Sequence, residues 1–464
     1  MNLNPDTICA IATAPGGAIG IIRVSGADAI AITDRIFTPL NGKSLADRAP
    51  YTLAFGQIIA PDGTVVDEVL VSLFRAPHSY TGEDSVEISC HGSSYILQQV
   101  MQLLIQNGCR AAGPGEYTQR AFLNGKMDLS QAEAVADLIA STSAATHRMA
   151  MNQMRGGFSK ELTTLREKLL HLTSLMELEL DFSDHEELEF ADRSELEAIA
   201  SQIEGVISHL ADTFSVGNAL KNGVPVAIVG ETNAGKSTLL NALLNEERAI
   251  VSDIHGTTRD VIEDTVIMDG ITFRFIDTAG IRDTVDTIES LGIERSFQKL
   301  DQADIVLWVV DATHAGEQYR QLSEKILPRC KNKHVIVILN KADLVPDISS
   351  VLLADLPEEI RVMSLSAKHK DGLSELRKQL IAFASLPDLS QTDIVVSNVR
   401  HYEALVRALE SIHRVQEGLS MHLSGDFISQ DLRECLHHLG EIVGGSIETD
   451  EVLGNIFKNF CIGK

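Results

Sequence analysis

The segment GETNAGKS, residues 230–237, constrains the fold of this chain more than any other segment does. It follows the apolar run VPVAIV and precedes KSTLLNALLN, so a predicted buried strand leads through a glycine-rich turn into a predicted helix. In a GxxxxGK[ST] loop, backbone N–H groups and the helix N-terminus bind phosphate oxygens. Lys236 would reach the β- and γ-phosphates, and the Ser237 hydroxyl would ligate Mg²⁺. The segment therefore predicts a nucleotide-binding α/β domain.

Four further motifs fit the same nucleotide site. NKAD, residues 340–343, ends a predicted strand, and its carboxylate can accept both N–H donors of guanine but would face an acceptor on adenine. DTAG, residues 277–280, can hold the water shell of Mg²⁺ and contact the γ-phosphate. GTTRD, residues 256–260, supplies a threonine for Mg²⁺, and SAK, residues 366–368, supports the base. Their order and spacing are those of the Ras-like GTPases, which predicts GTP as the nucleotide.

Two positions depart from the pattern of many GTPases. Ile281 follows DTAG, where a glutamine that orients the attacking water is common, and an aliphatic side chain cannot do this. Asn233 places an amide oxygen beside the β–γ bridge, where a cation would neutralise charge that develops on the leaving group. An ordinary polar turn residue is the alternative interpretation of Asn233.

The chain before the P-loop divides into two regions by pattern. Residues 1–118 alternate short β-like runs with turns, with a hairpin turn at APDG, residues 60–63, and a helix over residues 94–108. Residues 119–217 have helical periodicity, with Ser130 predicted as an N-cap. The first region is predicted to be α+β and the second to be all helical.

The chain after residue 217 alternates between strands and helices and then returns to helix. Residues 218–384 contain apolar strands separated by helices, which predicts a parallel sheet covered on both faces. Residues 385–464 are helical again. Because neither helical flank forms a complete core alone, we expect the two flanks to pack together, with the α/β domain inserted between them.

Composition and charge argue against several classes of protein. Lys and Arg number 39 against 65 Asp and Glu, a net charge of −26, which argues against broad binding to nucleic acid but permits an RNA substrate on a local patch. The six cysteines lack zinc or disulfide spacing, and the acidic run over residues 181–197 is interpreted as a solvated face. No apolar run reaches the ~20 residues that span a bilayer, and the N-terminal residues lack a signal-peptide pattern, so a cytoplasmic location without membrane contact is predicted.

Segments in every region point to one family. They are GIIRVSG, SYTGEDSVEISCHG, PGEYTQRAFLNGKMDLSQAEAVADLI, GETNAGKS, GTTRD, DTAGIR and the C-terminal FCIGK. In these segments the chain resembles the MnmE family of tRNA modification GTPases, also called TrmE, over its whole length. The resemblance implies a multidomain fold: an N-terminal α+β domain similar to tetrahydrofolate-binding domains (1–118), a discontinuous helical domain (119–217 and 385–464) and an inserted Ras-like α/β P-loop GTPase domain (218–384).

The resemblance also implies roles for residues of the GTPase domain. K⁺ would take the position of an arginine finger, held by the Asn233 side chain, Ser252, Ile254 and Thr257. Mg²⁺ would be held by Ser237 and Thr258, and Glu289 would orient the attacking water in place of the missing glutamine. The residues expected around GTP and its cations are Asn233, Ala234, Gly235, Lys236, Ser237, Thr238, Ser252, Asp253, Ile254, His255, Gly256, Thr257, Thr258, Asp277, Thr278, Ala279, Gly280, Asn340, Lys341, Ala342, Asp343, Ser366, Ala367 and Lys368.

For the N-terminal domain the resemblance implies a site for 5-formyltetrahydrofolate, or for methylenetetrahydrofolate as the one-carbon donor. The implied contacts are Arg23, Glu83, Lys126 and the C-terminal Lys464. The family is a homodimer through this domain and forms a heterotetramer with MnmG, an FAD- and NADH-dependent protein. Together they install an aminomethyl or carboxymethylaminomethyl group at C5 of the wobble uridine of tRNA.

Alternatives remain at this stage. From the residues alone, Arg23, Glu83 and Lys126 are explained by surface ion pairs, and Glu289 by a solvated helix position. A GTPase that assists ribosome assembly or RNA folding is disfavoured because such proteins usually append basic domains. A one-carbon transferase with a degenerate GTPase is disfavoured because the P-loop lysine and serine are intact.

Overall fold

The structure is a computed structural model that describes residues 6–14, 16–181, 193–246, 264–276, 300–331, 333–345, 357, 360–384, 394–444 and 463. These residues fall into two compact units. The first unit comprises residues 1–140, 150–207 and 404–464, and the second comprises residues 141–149 and 208–403.

The described strands and helices are numbered in chain order. The strands are β1 (Ile8–Ile11), β2 (Ile19–Ser25), β3 (Phe37–Pro39), β4 (Thr52–Ile59), β5 (Val65–Phe74), β6 (Ser85–His91), β7 (Arg110–Ala111), β8 (Val224–Val229), β9 (Asp264–Met268), β10 (Ile271–Phe275), β11 (Ile305–Asp311), β12 (His334–Asn340) and β13 (Arg361–Ser364). The helices are α1 (Ala29–Ile36), α2 (Ser94–Gln106), α3 (Glu116–Leu123), α4 (Leu129–Ala140), α5 (Ala144–Met154), α6 (Gly157–Asp181), α7 (Arg193–Asp212), α8 (Phe214–Asn222), α9 (Lys236–Glu246), α10 (Ala315–Ile326), α11 (Leu373–Ala384), α12 (Val399–Ser420) and α13 (Gly425–Val443).

The N-terminal part of the first unit is a sheet with the strand order β3-β4-β5-β6-β2-β1-β7. Described neighbours in this sheet are antiparallel except β1 and β7. The predicted hairpin is confirmed, because the Ala60 N–H donates to the Thr64 carbonyl over 2.9 Å between β4 and β5. The predicted helix over residues 94–108 is confirmed as α2.

Helices α1 and α2 cover one face of this sheet. Side chains alternate between the two faces of a strand, and Ile22 and Val24 of β2 are buried in the same core as Leu97 and Leu104 of α2. The intervening Arg23 therefore lies on the other face. In the register of the sheet, Arg23 pairs with Glu87, Glu87 with Ser72, and Ser72 with Leu53. This second face, called the open face below because Leu53 is exposed on it, thus carries charged residues at Arg23 and Glu87 and an apolar residue at Leu53 along one row.

The helical part of the first unit is built from distant parts of the chain. Helix α6 packs against α13, and α4 contacts both. Their buried residues repeat at helical spacing, as in Leu162, Leu165, Leu169 and Leu172 of α6 and in Leu432, Cys435, Leu439 and Ile442 of α13. Because α6 precedes and α13 follows the nucleotide-binding region, the helical domain is discontinuous, as predicted.

The second unit contains a sheet with the strand order β13-β12-β11-β8-β10-β9. Every residue of β8 and β11 is buried, and the strands from β13 to β10 are parallel. Apolar residues of α9 and α11 pack against one face, and α10, which includes Tyr319, covers the other. The prediction of a sheet covered on both faces is confirmed.

Two local predictions are wrong. The sheet is not wholly parallel, because β9 pairs antiparallel with β10 at its edge. Its sequence DTVIM alternates in burial and so lacks the long apolar run that marked the other strands. Ser130 is not an N-cap, since it lies inside α4, and the carboxylate of Asp128 instead accepts the Gln131 N–H at 2.9 Å.

The architecture of the described residues is that of a multidomain protein: an α+β domain, a discontinuous helical domain and an inserted α/β domain with a P-loop. The described helices include none with the length and apolar character needed to cross a membrane.

We expect Gly217→Ala to destabilise the second unit. Alanine normally favours a helix interior, but a Cβ at Gly217 of α8 would lie 2.1 Å from the Val396 carbonyl oxygen. We expect this crowding to lower the free energy of unfolding by about 1–3 kcal/mol. Trp308, the single tryptophan, is fully buried in this unit, so its fluorescence in a urea titration measures the effect.

Gly316→Ala is the matched control in the same unit. No atom lies within 4 Å of its added Cβ, so we expect unchanged stability or a gain of less than about 1 kcal/mol. Equal stability of the two variants would contradict the packing of α8 against residue 396.

Candidate functional site

The P-loop has the backbone shape that a phosphate cradle requires. Gly230 has φ +145°, and a Cβ there would lie 2.1 Å from the Val309 carbonyl oxygen. Gly235 has φ +96°, and its Cβ would lie 2.1 Å from Asn340 Nδ2. Asn233 has φ +63°, a left-handed conformation that asparagine tolerates better than most residues. Asn233 therefore has a structural reason to be present in addition to any cation that it binds.

Lys236 begins α9, and its ammonium group lies over the loop. Its Nζ donates to the Gly230 carbonyl at 2.8 Å and to the Glu231 carbonyl at 2.6 Å. Burial lowers the pKa of the Lys236 ammonium below its ordinary value, and the Glu231 charge opposes that shift. A partly desolvated cation held this way pairs favourably with phosphate oxygens. Ser237 and Thr238 follow in the first turn of α9, whose N-terminus points at the loop.

The side-chain amide of Asn340 joins the P-loop to the two base motifs. Its Nδ2 donates to the Ala234 carbonyl at 2.8 Å, and its Oδ1 accepts the Ala367 N–H at 3.0 Å. Asn340 is 2% exposed, so both bonds are shielded from water. The Ala342 N–H also donates to the Leu365 carbonyl at 3.1 Å. Three motifs that lie far apart in sequence are therefore brought together at the carboxyl ends of β8, β12 and β13.

The predicted base-reading carboxylate is close to the SAK motif. A hydrogen bond from the Ser366 side chain holds the pKa of Asp343 below its ordinary value, and His369 lies 3.6 Å away. Asp343 therefore stays ionised and can accept two N–H donors. The neighbouring Lys341, with φ +61°, places its Nζ 2.6 Å from Asp311 at the end of β11. The predicted Lys368 follows Ala367 in the same loop.

Several predicted site residues lie outside the described residues. They are Ser252, Asp253, Ile254, His255, Gly256, Thr257, Thr258, Asp277, Thr278, Ala279, Gly280, Glu289 and Lys464. Their roles stay predictions.

A second group of predicted residues lies on the open face of the N-terminal sheet. Arg23 pairs with Glu87 at 2.8 Å, and its guanidinium lies 5.6 Å from the ring centroids of both Tyr80 and Tyr117. Its Nη1 also donates to the Gly463 carbonyl at 3.3 Å. Gly463 therefore lies beside β2.

Glu83 and Lys126 flank the loop that carries Tyr80. The Glu83 carboxylate accepts the Ser25 hydroxyl at 2.8 Å and pairs with Arg120 at 3.1 Å. Lys126 Nζ donates to the Pro77 carbonyl at 3.0 Å. Arg23 and Glu83 therefore form the ion pairs that the alternative interpretation expects. Arg23, Glu83 and Lys126 also lie around the loop that carries Tyr80.

Sequence reasoning missed three residues of this second group: Tyr80, Tyr117 and Arg120. The Tyr117 hydroxyl donates to the Arg23 carbonyl at 2.7 Å, and Tyr80 is hydrogen-bonded to Thr118 at 2.9 Å. All lie within segments that carry the family resemblance, but their residue types do not separate a binding role from a packing role. These residues are identified by their contacts with Arg23 and Glu83, which exist only in the folded chain.

Two family models match the sequence. The model described as MnmE helical domain matches residues 129–461, and the model described as GTP-binding protein TrmE N-terminus matches residues 7–126.

Similar proteins span the full chain. The tRNA modification GTPase MnmE of Bacteroides thetaiotaomicron is 68% identical over 468 residues, which cover 100% of both chains. The protein of the same name from Phocaeicola vulgatus is 64% identical over 499 residues, covering 100% of this chain and 99% of that one. The Flavobacterium johnsoniae protein is 50% identical, with 100% of both chains covered.

Solved structures resemble a smaller part of the chain. Era in complex with MgGDPNP and 16S ribosomal RNA nucleotides is 30% identical, covers 40% of this chain and 66% of its own, and has a TM-score of 0.28. The FeoB G-domain of Methanococcus jannaschii is 26% identical, covers 35% of this chain and 97% of its own, and has a TM-score of 0.26.

We expect Asn340→Ala to weaken guanine nucleotide binding by about tenfold or more, because it leaves a buried carbonyl and a buried N–H without their partner. Titration with a fluorescent GDP analogue measures the affinity. Asn222→Ala removes an equally long amide that bonds only to Asn218 on the exposed surface of the same unit, and we expect wild-type affinity. Wild-type affinity in Asn340→Ala would mean that the motifs are held together without this bridge.

Proposed function

The chain belongs to the MnmE family of tRNA modification GTPases, and from this premise we propose that it is a K⁺-activated GTPase. With MnmG it installs the aminomethyl or carboxymethylaminomethyl group at C5 of the tRNA wobble uridine, using a tetrahydrofolate one-carbon donor. The observation that carries the proposal is the bridge from Asn340 to the P-loop and to the SAK motif, because it assembles phosphate-binding and base-reading groups at one sheet edge.

GTP and Mg²⁺ fit the groups at this edge. The ionised Asp343 would accept the two N–H donors of guanine, and the amides of the P-loop would bind the phosphates alongside Lys236. Mg²⁺ prefers oxygen ligands, which the Ser237 and Thr258 hydroxyls would provide. Asp277 would hold its water shell, and Glu289 would orient the attacking water.

K⁺ fits the chemistry of Asn233. The side chain is exposed on the P-loop, and its amide oxygen is a neutral ligand of the kind a monovalent cation accepts. Ser252, Ile254 and Thr257 would complete the set. When bound, K⁺ would neutralise the negative charge that develops between the β- and γ-phosphates.

A folate fits the second group of residues. Glu83 is held by Ser25 and Arg120 with its side chain 20% exposed, so its carboxylate can accept N–H donors of a pterin edge. Arg23 beside Tyr80 offers a cationic and an aromatic surface. Lys126 and Lys464 would bind the carboxylates of the glutamate tail of 5-formyltetrahydrofolate or methylenetetrahydrofolate.

The homodimer is supported by exposed apolar residues on the open sheet face. Leu53, Phe55 and Leu70 are 64%, 46% and 45% exposed. Phe55 and Leu70 are cross-strand partners, and Leu53 lies in the row that includes Arg23. An exposed apolar patch of this kind marks a protein contact. We propose that a second copy of the chain covers it.

The partners follow from charge. With a net charge of −26, the chain is poorly suited to attract the tRNA backbone by itself. We propose that MnmG supplies much of the basic surface in the heterotetramer, and that the reaction takes place in the cytoplasm.

We expect GTP hydrolysis to be faster in K⁺ than in Na⁺, and Asn233→Gly to reduce the K⁺ effect by more than about tenfold. Glycine keeps the left-handed backbone of this position and removes only the amide. Asn233→Lys, which brings a tethered cation, is expected to hydrolyse GTP with little dependence on the salt. Phosphate release in KCl and NaCl at equal ionic strength measures both effects, and equal wild-type rates would disprove K⁺ activation.

We expect Lys126→Met to weaken 5-formyltetrahydrofolate binding by about tenfold, because a charge-assisted hydrogen bond to the ligand is lost. The fold should persist, since the Lys126 ammonium contacts a single backbone carbonyl on the surface. Calorimetric titration gives the affinity. Lys43→Met, an exposed lysine of the same domain, is the control and should bind normally. Equal affinities in both variants would remove Lys126 from the site.

A further inference from the structure

Arg120 of α3 lies behind the proposed folate site rather than in it. The residue is 4% exposed. Its Nη1 donates to both carboxylate oxygens of Glu83, at 3.1 and 3.3 Å, and to the Asp6 carbonyl at 2.9 Å. Its Nη2 donates to the Asp6 carboxylate at 2.8 Å and to Glu116 at 3.1 Å. The guanidinium is therefore fixed by several partners at once, which a buried cation requires.

Glu83 is held from two directions. The Ser25 hydroxyl on β2 donates to its Oε2 at 2.8 Å, and the Arg120 guanidinium approaches both of its oxygens from α3. The Arg120 Nη1 contacts both carboxylate oxygens, and together with the Ser25 hydroxyl on Oε2 it restricts the movement of that carboxylate. The Glu83 side chain remains 20% exposed, so its carboxylate is accessible to a ligand.

The ion-pair cluster around Arg120 contains more negative than positive groups. Two guanidinium groups, Arg110 and Arg120, contact three carboxylates, Asp6, Glu83 and Glu116. A hydrogen bond from Arg110 holds the pKa of Asp6 below its ordinary value. Burial raises the pKa of Glu116, but hydrogen bonds led by that from Arg110 outweigh it and lower the pKa overall. Asp6 and Glu116 each contact both arginines, whereas Glu83 contacts only Arg120 of the two.

We propose that Arg120 is a positioning residue for folate recognition, acting through Glu83, whose carboxylate it holds in place to receive the 2-amino and ring N–H donors of the pterin. This inference rests on the proposed folate site. Arg120 itself does not touch the ligand in this arrangement. Its contribution is to pre-orient the acceptor, so that little ordering of the side chain remains to be done when the ligand binds.

The experiment is calorimetric titration of the full chain with 5-formyltetrahydrofolate. Arg120→Met keeps the length of the side chain and removes its donors, and we expect affinity to fall about ten- to hundredfold. Arg120→Lys keeps the charge but cannot replace all the hydrogen bonds of the two guanidinium nitrogens, so its affinity should lie between those of Arg120→Met and the wild type. Arg110→Met is the matched control, because it removes ion pairs to Asp6 and Glu116 without contacting Glu83, and it should bind normally.

A double-mutant cycle separates positioning from a general structural role. In a Glu83→Gln background, Arg120→Met should cause little further loss, because the group through which it acts has already been changed. Discrimination against a pterin analogue without the 2-amino group should also fall in Arg120→Met. GTP hydrolysis by the control variant Arg110→Met should stay at the wild-type rate.

Each other outcome counts against the inference in its own way. Equal losses of folate affinity in Arg110→Met and Arg120→Met would show a structural role and overturn the inference. Losses of affinity in Arg120→Met and Glu83→Gln that add up in the double variant would do the same. If Arg120→Met does not fold, the same comparison with Arg120→Lys decides the question. Normal binding by both Arg120 variants, with weakened binding in Glu83→Gln, would overturn the inference and leave the folate site standing. Absence of binding by the wild type would overturn both.

Discussion

The nucleotide-binding unit depends on one side chain that bonds in two directions. Asn340 donates to the P-loop at Ala234 and accepts from Ala367, and it is buried while doing so. In the proposed site the P-loop binds phosphate and the other two motifs bind the base, so this amide would set the distance between the two groups of contacts. Gly235 has no Cβ for the same reason, since a side chain there would occupy the position of the Asn340 amide nitrogen.

The N-terminal domain carries charged side chains on the open face of its sheet. Arg23 and Glu83 are both paired, and pairing by itself would neutralise them. The pairs are embedded in a larger group, with tyrosine rings beside Arg23 and two arginines shared among three carboxylates. The same sheet row continues to exposed apolar residues at Leu53. The proposed folate site and the proposed dimer contact thus lie on one face of the sheet.

Much of the fold could be predicted because the signals were local. The P-loop spacing, the apolar runs of β8, β11 and β12 and the periodicity of α2 each identify an element from neighbouring residues. The errors arose where the local signal was weak or ambiguous. β9 alternates in burial, so it lacks the apolar run by which the parallel strands were predicted. Ser130 and Asp128 are both good capping residues, and the register of α4 decided between them.

The sequence by itself determined the family, the order of the domains and the residue types at the nucleotide site, because these depend on motif spacing along the chain. Tertiary structure alone decided which distant groups meet. The Asn340 bridge spans more than a hundred residues, and the Arg120–Glu83 pair joins α3 to a loop before β6. No short-range pattern encodes such pairs, because they arise when strands and helices are packed, and burial then makes each unmet hydrogen bond costly.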